Sequence, residues 1–339
     1  MNNRFTFAII SYNQQDFILE TLESIKYQIQ HYGSDIHCSL IIGDDHSSDD
    51  TVALAKRWIK TYHNLFSQID VISRAENVGL NRNYLEVLCK IQDAHYKIIA
   101  GDDLFSCENV FEWGKEGCIN AYYPMILNHE TLSIDDEIAN RVLYFANVTH
   151  CNQDDRFRVA LGNYMNTPSV FVDKALMTKA VQDHIAAFRN FEDDPGWYSV
   201  LVENSSATTQ FYAKCKVIYR IHENSLSHGL PSEKNRMFFE DLMRFKLDCA
   251  GSISGICRKI SLFLVFLYLR LMDLNRWTIY FSPVYYFEKY KGKYYKKMNG
   301  KHADYIQNLN KMEVQLQRNI LYYQEIRSNA EHFRAKYVR

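Results

Sequence analysis

Over the first hundred residues, short apolar or β-branched runs alternate with helical patterns. The runs at 5–10, 39–42, 69–72 and 97–100 are each followed at once by polar or small residues, as expected of strands covered on both faces. Ile18, Leu22, Ile25 and Ile29 share one helical face behind Asp16, a candidate cap. Leu80, Tyr84, Val87, Leu88 and Ile91 do the same behind Gly79. This alternation predicts βαβ units and a mainly parallel sheet, an α/β fold.

Farther along, 122–127 and 142–148 read as a hairpin across a polar loop. A strand is expected at 169–172, a helix near 175–189, an acidic loop at 192–194 and a strand at 217–220, which completes a first domain, 1–230. Residues 231–339 then turn helical, aromatic and basic, with no turn-rich linker between. The apolar stretch 260–272 has 13 residues, fewer than the roughly 20 of a spanning helix. Tyr305, Leu309, Met312, Leu316, Ile320 and Tyr323 recur at spacings of three and four, so the last stretch predicts an amphipathic helix. There is no internal repeat and no low-complexity tract.

Composition sharpens this in three places. With 47% hydrophobic and 23% charged residues the chain can bury a core, and a net charge of −1 gives no reason to expect nucleic acid. The balance is local, however: 258–297 carries nine basic residues against Asp273 and Glu288, interleaved with Trp277, Tyr280, Phe281, Tyr285, Tyr286, Phe287, Tyr290, Tyr294 and Tyr295. That mixture suits peripheral contact with an anionic membrane, while the helix within 303–326 offers a surface for a homo-oligomer. The eight scattered cysteines form no C-x-x-C pair, and the N-terminus lacks a signal-type apolar core. Both point to the cytoplasm, with a place on the inner face of the cell membrane.

In an open parallel sheet, ligands bind at the carboxyl ends of the strands. Here those ends carry Ser11-Tyr12-Asn13, then Asp44-Asp45-His46-Ser47-Ser48-Asp49, then Arg74-Ala75-Glu76-Asn77, then Gly101-Asp102-Asp103. Carboxylates clustered in this way repel unless they recruit a cation, and oxygen ligands alone favour Mg²⁺ or Mn²⁺ with a diphosphate completing the coordination. The same residues could serve as plain turns and caps, 44–49 before a helix at Thr51 and Asp102-Asp103 before one near Leu104.

These segments resemble a known family. I-S-Y-N-Q (10–14), D-D-H-S-S-D-D-T (44–51), E-N-V-G-L-N-R-N (76–83) and G-D-D-L (101–104) look like the inverting glycosyltransferases of family 2, which have the GT-A fold. N-F-E-D-D-P (190–195) and Y-R-I-H-E-N-S-L-S (219–227) are similar to the branch that builds bacterial surface polysaccharides. The resemblance spans about 5–230 and implies roles residue by residue. Asp45, with Asp44 beside it, would hydrogen-bond the base of a nucleotide, most often UDP in this family, in a pocket framed by Ser11, Tyr12 and Asn13. Asn77, Arg82, Asn83 and Gly101 would line the nucleotide sugar. Asp102 would ligate the metal and meet the diphosphate, Asp103 would ligate or orient, and His222 would approach the metal or phosphate. Asp193 would be the general base, with Asp194 as its rival and Glu192 completing the frame. One departure stands out: the family's D-x-D begins with a carboxylate where this chain has Ala100.

The resemblance thus implies a hexosyl-type glycosyltransferase, metal-dependent and inverting, acting on a saccharide or lipid-linked saccharide in capsule, O-antigen or similar synthesis. The competing reading is a catalytically degenerate nucleotide-binding or membrane-associated scaffold, which Ala100 would suit. A nucleotidyltransferase would need a glycine-rich, basic phosphate loop, and residues 11–16 contain neither glycine nor lysine.

Overall fold

The computed structural model describes residues 3–162, 164–189, 191–222, 236–274, 280 and 282–337. The expected domain boundary near 230, Asn190 and the end of the Y-R-I-H-E-N-S-L-S segment lie outside them, as do Trp277 and Phe281.

The N-terminal half alternates as its sequence pattern requires: β1 (Arg4–Ser11), α1 (Ile18–Tyr32), β2 (His37–Asp44), α2 (Thr51–Tyr62), β3 (Gln68–Ser73), α3 (Leu80–Lys90) and β4 (His95–Ala100). The four strands form one parallel sheet in the order β3-β2-β1-β4. Seven of the eight residues in each of β1 and β2 are buried, because helices cover both sheet faces. α1 starts without Asp16: the Gln14 carbonyl accepts from the Phe17 and Ile18 amides, and no side chain caps the helix.

Next come β5 (Leu104–Phe105), β6 (Ile119–Tyr122), β7 (Met125–Asn128), β8 (Thr131–Ser133), α4 (Asp136–Ala146), α5 (Asn152–Leu161), β9 (Val170–Phe171), α6 (Lys179–Ala186), α7 (Asp193–Glu203), β10 (Thr209–Tyr212) and β11 (Val217–Ile221). They form two small sheets, β10-β6-β9 and β5-β11-β7-β8. The expected hairpin is corrected here, since β7 pairs with β8 and 142–146 is helical. The β-branched and aromatic run V-L-Y-F-A reads as strand, yet Asp135 accepts from the Ile138 amide and Asp136 and Glu137 occupy the first turn. Cap and dipole therefore start a helix that carries the run inward. No helix follows Asp103 either, because Leu104 and Phe105 pair with β11. The helix expected near 175–189 shortens to α6, which Thr178 caps.

α8 (Arg236–Ser252), α9 (Ile256–Leu274), α10 (Pro283–Asn299) and α11 (Tyr305–Tyr337) complete the chain. Phe245, Cys249, Leu262, Met312, Tyr323 and Ile326 belong to the same buried cluster as Ala8, Ile41 and Val87 of the main sheet domain. Tyr322 Oη donates to the Phe105 carbonyl (2.9 Å) and Tyr123 Oη to Gln315 Oε1 (2.8 Å). The amphipathic stripe of α11 is thus spent inside its own chain, where Leu309, Leu316 and Ile320 also pack. Among the described residues, no helix is long and apolar enough to cross a membrane.

Candidate active site

The parallel strands end in step: Ser11 lies opposite Asp44, Asp44 opposite Ser73 and Ile10 opposite Ala100. The polar segments after the strands consequently emerge along one sheet edge. Asp44 is buried and holds its own turn, accepting from Ser11 Oγ (3.1 Å), Ser47 N (2.8 Å) and Ser47 Oγ (2.5 Å). Asn13, at φ 51°, threads into that turn, its amide donating to Ser47 Oγ and its Oδ1 accepting from the Ser48 amide. Between them Tyr12 stands 51% exposed at the rim.

Asp45 braces the loop before α3. Its two oxygens accept the amides of Val78 (2.8 Å) and Gly79 (2.9 Å), and its carbonyl accepts from Asn77 Nδ2. A carboxylate has about four acceptor positions, so two remain for a ligand. Asn83 is buried, donating to the Gly43 carbonyl (2.9 Å) and accepting from Arg74 (2.9 Å), whereas Arg82 reaches into solvent beside Glu86.

The fourth strand end is tied down from below. Thr21 Oγ1 donates to the carbonyls of Gly101 (2.9 Å) and Asp103 (2.7 Å). A Cβ on Gly101 would fall 2.5 Å from Gln14 Oε1, 3.1 Å from Ile18 Cδ1 and 3.3 Å from Ser11 Cβ, so the chain leading into α1 packs closely on this turn. β11 arrives alongside: Arg220 donates its amide to Asp103 Oδ1 (3.0 Å), its Nε to the Asp102 carbonyl (2.8 Å) and a terminal nitrogen to Glu20 (2.5 Å). Asp102 and Asp103 therefore part company. Asp103 is buried, and burial followed by the neighbouring Asp102 pushes its carboxyl well above the ordinary range. Asp102 stays partly exposed and accepts from His222 Nε2 at 2.7 Å.

The acidic trio lies across α3 and β4, at the start of α7. Asn81 Nδ2 donates to the carbonyls of Ile185 (3.0 Å) and Phe188 (3.0 Å), anchoring the segment that leads there. Glu192 precedes the helix, and Asp193 and Asp194 form its first turn. Asp193 Oδ1 is buried without a hydrogen-bond partner. Burial, then the Glu192 charge, raises its pKa well above the carboxylate range, opposed by the Thr167 side chain and Lys97. Burial also raises Glu192. Asp194 faces the buried Lys246 of α8 at 3.8 Å, and burial against that partner leaves its pKa at about 6.

Among the described residues, no group of three or more His, Cys, Asp or Glu side chains is placed to hold an ion. Asp102 and His222 adjoin as a pair, and ions such as Mg²⁺ are often held by one or two protein ligands with phosphates and water completing the shell. The donor set the structure offers a divalent cation here is thus this one carboxylate and imidazole. The sequence reading gave no role to Lys97, Thr167 or Arg74, although a lysine inside an otherwise apolar strand was a usable signal for the first.

The family model described as glycosyl transferase family 2 matches residues 6–109, from β1 to just past β5. Uncharacterized proteins of Mycobacterium tuberculosis and Mycobacterium bovis are 30% identical over 97 residues, which is 29% of this chain and 26% of theirs. The chain thus spans about a quarter of the length of these curated relatives. The structure of S. aureus TarS 1–349 in complex with UDP-GlcNAc has 13% sequence identity and covers 97% of this chain and 92% of that one, with a TM-score of 0.51. The fold is GT-A. The four parallel strands end along one edge, and residues of the helical region α8 to α11 share the buried cluster of the main sheet.

Proposed function

We propose that this protein is an inverting glycosyltransferase that moves a sugar from a nucleotide diphosphate sugar, with UDP as the carrier, to a saccharide or lipid-linked saccharide of a surface polysaccharide. The observation that carries the reading is the separation of roles along one edge: Asp102 and His222 adjoin at one strand end, while Asp193 presents an unpartnered carboxylate oxygen from α7. The family 2 match over the donor half supports it, and the UDP-GlcNAc held by the similarly folded TarS favours a UDP-sugar.

Base and ribose would sit between Tyr12 and the remaining acceptor positions of Asp45, with the Asn77 loop as a wall. A carboxylate suits a pyrimidine N–H because it accepts and cannot donate. Asn83 serves through Gly43, fixing the second strand end, and the exposed Arg82 is free to swing toward phosphate. A divalent ion held by Asp102 with His222 would offset charge on the departing diphosphate. Asp193 takes the proton of the acceptor hydroxyl as that oxygen bonds to the anomeric carbon and the bond from that carbon to phosphate oxygen breaks. Attack opposite the leaving group inverts the configuration. Glu192 keeps Asp193 basic, and Asp194 joins α7 to α8 through Lys246.

Peripheral membrane contact through 258–297 would bring a lipid-linked acceptor within reach. The scaffold reading keeps one favourable observation, the missing carboxylate at Ala100. Turnover of UDP-sugars with Mn²⁺ separates the two. Asp193→Asn should cut kcat by about 10² to 10⁴-fold, the usual worth of a general base, and leave donor affinity intact, while Asp194→Asn keeps most of the rate. Equal activity of wild type and Asp193→Asn would remove the base, and no turnover by wild type on any nucleotide sugar would favour the scaffold.

A further inference from the structure

Lys97 occupies the middle of β4 and is 5% exposed. A buried ammonium is costly unless it is paired and hydrogen-bonded, so its surroundings ask for a reason. Its Nζ donates to the Val170 carbonyl (2.7 Å) and the Thr167 carbonyl (3.2 Å) and lies 5.1 Å from the centre of the Phe171 ring. These contacts pin the segment 167–171 against the main sheet. Thr167 is in turn a junction: its hydroxyl accepts from Trp197 Nε1 (3.1 Å), on the same helix α7 whose first turn carries Asp193. Lys97, Thr167, Trp197, Tyr84 and Tyr96 line one small cavity with about 30 Å³ of room for water, and Tyr96 Oη is buried there without a partner.

We propose that Lys97 is a positioning residue for Asp193, clamping through Thr167 and Trp197 the helix α7 that carries that carboxylate and supplying the buried positive charge that favours its ionised form. This rests on the role of Asp193 given above. The groups facing Asp193 are Glu192 beside it, Asp194 backed by Lys246, Tyr84 from α3 and Lys97 from β4. Two of these neighbours are acidic and disfavour the anion, and Tyr84 is a phenol that burial keeps neutral. Lys97 opposes them. Burial pulls its own pKa down to about 7, with Asp103 and Asp193 holding it up. Removing it should leave the fold's donor edge in place and make Asp193 a poorer base near neutral pH.

The test is a carbon-13 titration of protein labelled at the aspartate carboxyls, with the Asp193 signal identified by its loss in Asp193→Asn. In Lys97→Met the Asp193 midpoint should rise by about one pH unit or more, the usual effect of removing an opposite charge, whereas Lys97→Arg stays near wild type. In turnover assays the acid limb of kcat/KM should move by the same amount, with recovery at high pH. An unmoved Asp193 midpoint in Lys97→Met would overturn the proposal. If that variant does not fold, Thr167→Val should raise the midpoint more modestly, and no rise there would overturn it equally. Because the titration needs no substrate, it stands apart from the transferase reading, whose own failure would appear as wild-type inactivity with the midpoint shift intact.

Discussion

Asp193 and Asp194 are adjacent in the chain and opposite in circumstance. The first has a buried oxygen without a partner, the second a buried lysine. A base must be deprotonated to work, and burial with Glu192 raises Asp193, so kcat/KM should already be falling in mildly acidic solution, above the ordinary carboxylate range. A limb near pH 4 would contradict this. Asp194 makes a separate claim on stability. Its pKa of about 6 lies above the ordinary 3.8, so the native state holds its proton more tightly than the unfolded chain. Its contribution is therefore full below about pH 4 and is lost as the pH rises through 6. Asp194→Asn should flatten the decline of the urea midpoint between pH 4 and 6; an unchanged slope would show that Asp194 does not titrate there. The sequence displayed the trio but not this division, because Lys246 and Lys97 reach it from α8 and β4, far away in the chain.

At the scale of elements, β1 to β4 with α1 and α3 were legible, because apolar runs and helical periodicity agree there with burial. Their packing is tight enough to test. A Cβ on Gly43 would collide with Val87 Cγ2 and lie 2.6 Å from Asn83 Oδ1. Gly43→Ala should accordingly cost about 1–3 kcal/mol, as overpacking does, read from a urea melt; a neutral change would mean that α3 moves freely. α4 was misread because its cap, not its apolar run, decides its form. α9 and α10 retain the surface expected of 258–297. Ile256, Ile260, Phe263 and Leu267 are exposed at spacings of three and four, and Tyr286, Phe287, Tyr290 and Tyr294 are exposed on α10, with Lys259, Lys289, Lys293, Lys296 and Lys297 exposed on the same two helices. Sedimentation with phosphatidylglycerol vesicles should exceed that with phosphatidylcholine, weaken with salt and fall in a Phe263→Ser, Phe287→Ser double variant. Equal sedimentation with both lipids would set membrane contact aside.

At the scale of the whole molecule, the sequence suggested two units and the packing joins them. Phe245, Lys246, Leu262, Met312 and Tyr322 are buried, and Asn319 of α11 accepts from the Cys107 amide (2.9 Å) just past β5. A chain ending at residue 230 would expose this interior. It should lack a cooperative thermal transition, and a sharp one would show that the GT-A domain folds alone. No change of composition announced the joining, since α11 reads equally as a helix seeking a second copy. The edge formed by the four strand ends was legible in the sequence, and the proposal that it holds the donor rests on nucleotide binding. Calorimetric titration of UDP and GDP, with and without Mn²⁺, into wild type and Asp102→Ala tests that most directly. The expected result is UDP binding that needs the metal and is lost in the variant; binding of neither nucleotide under any condition would contradict a donor site.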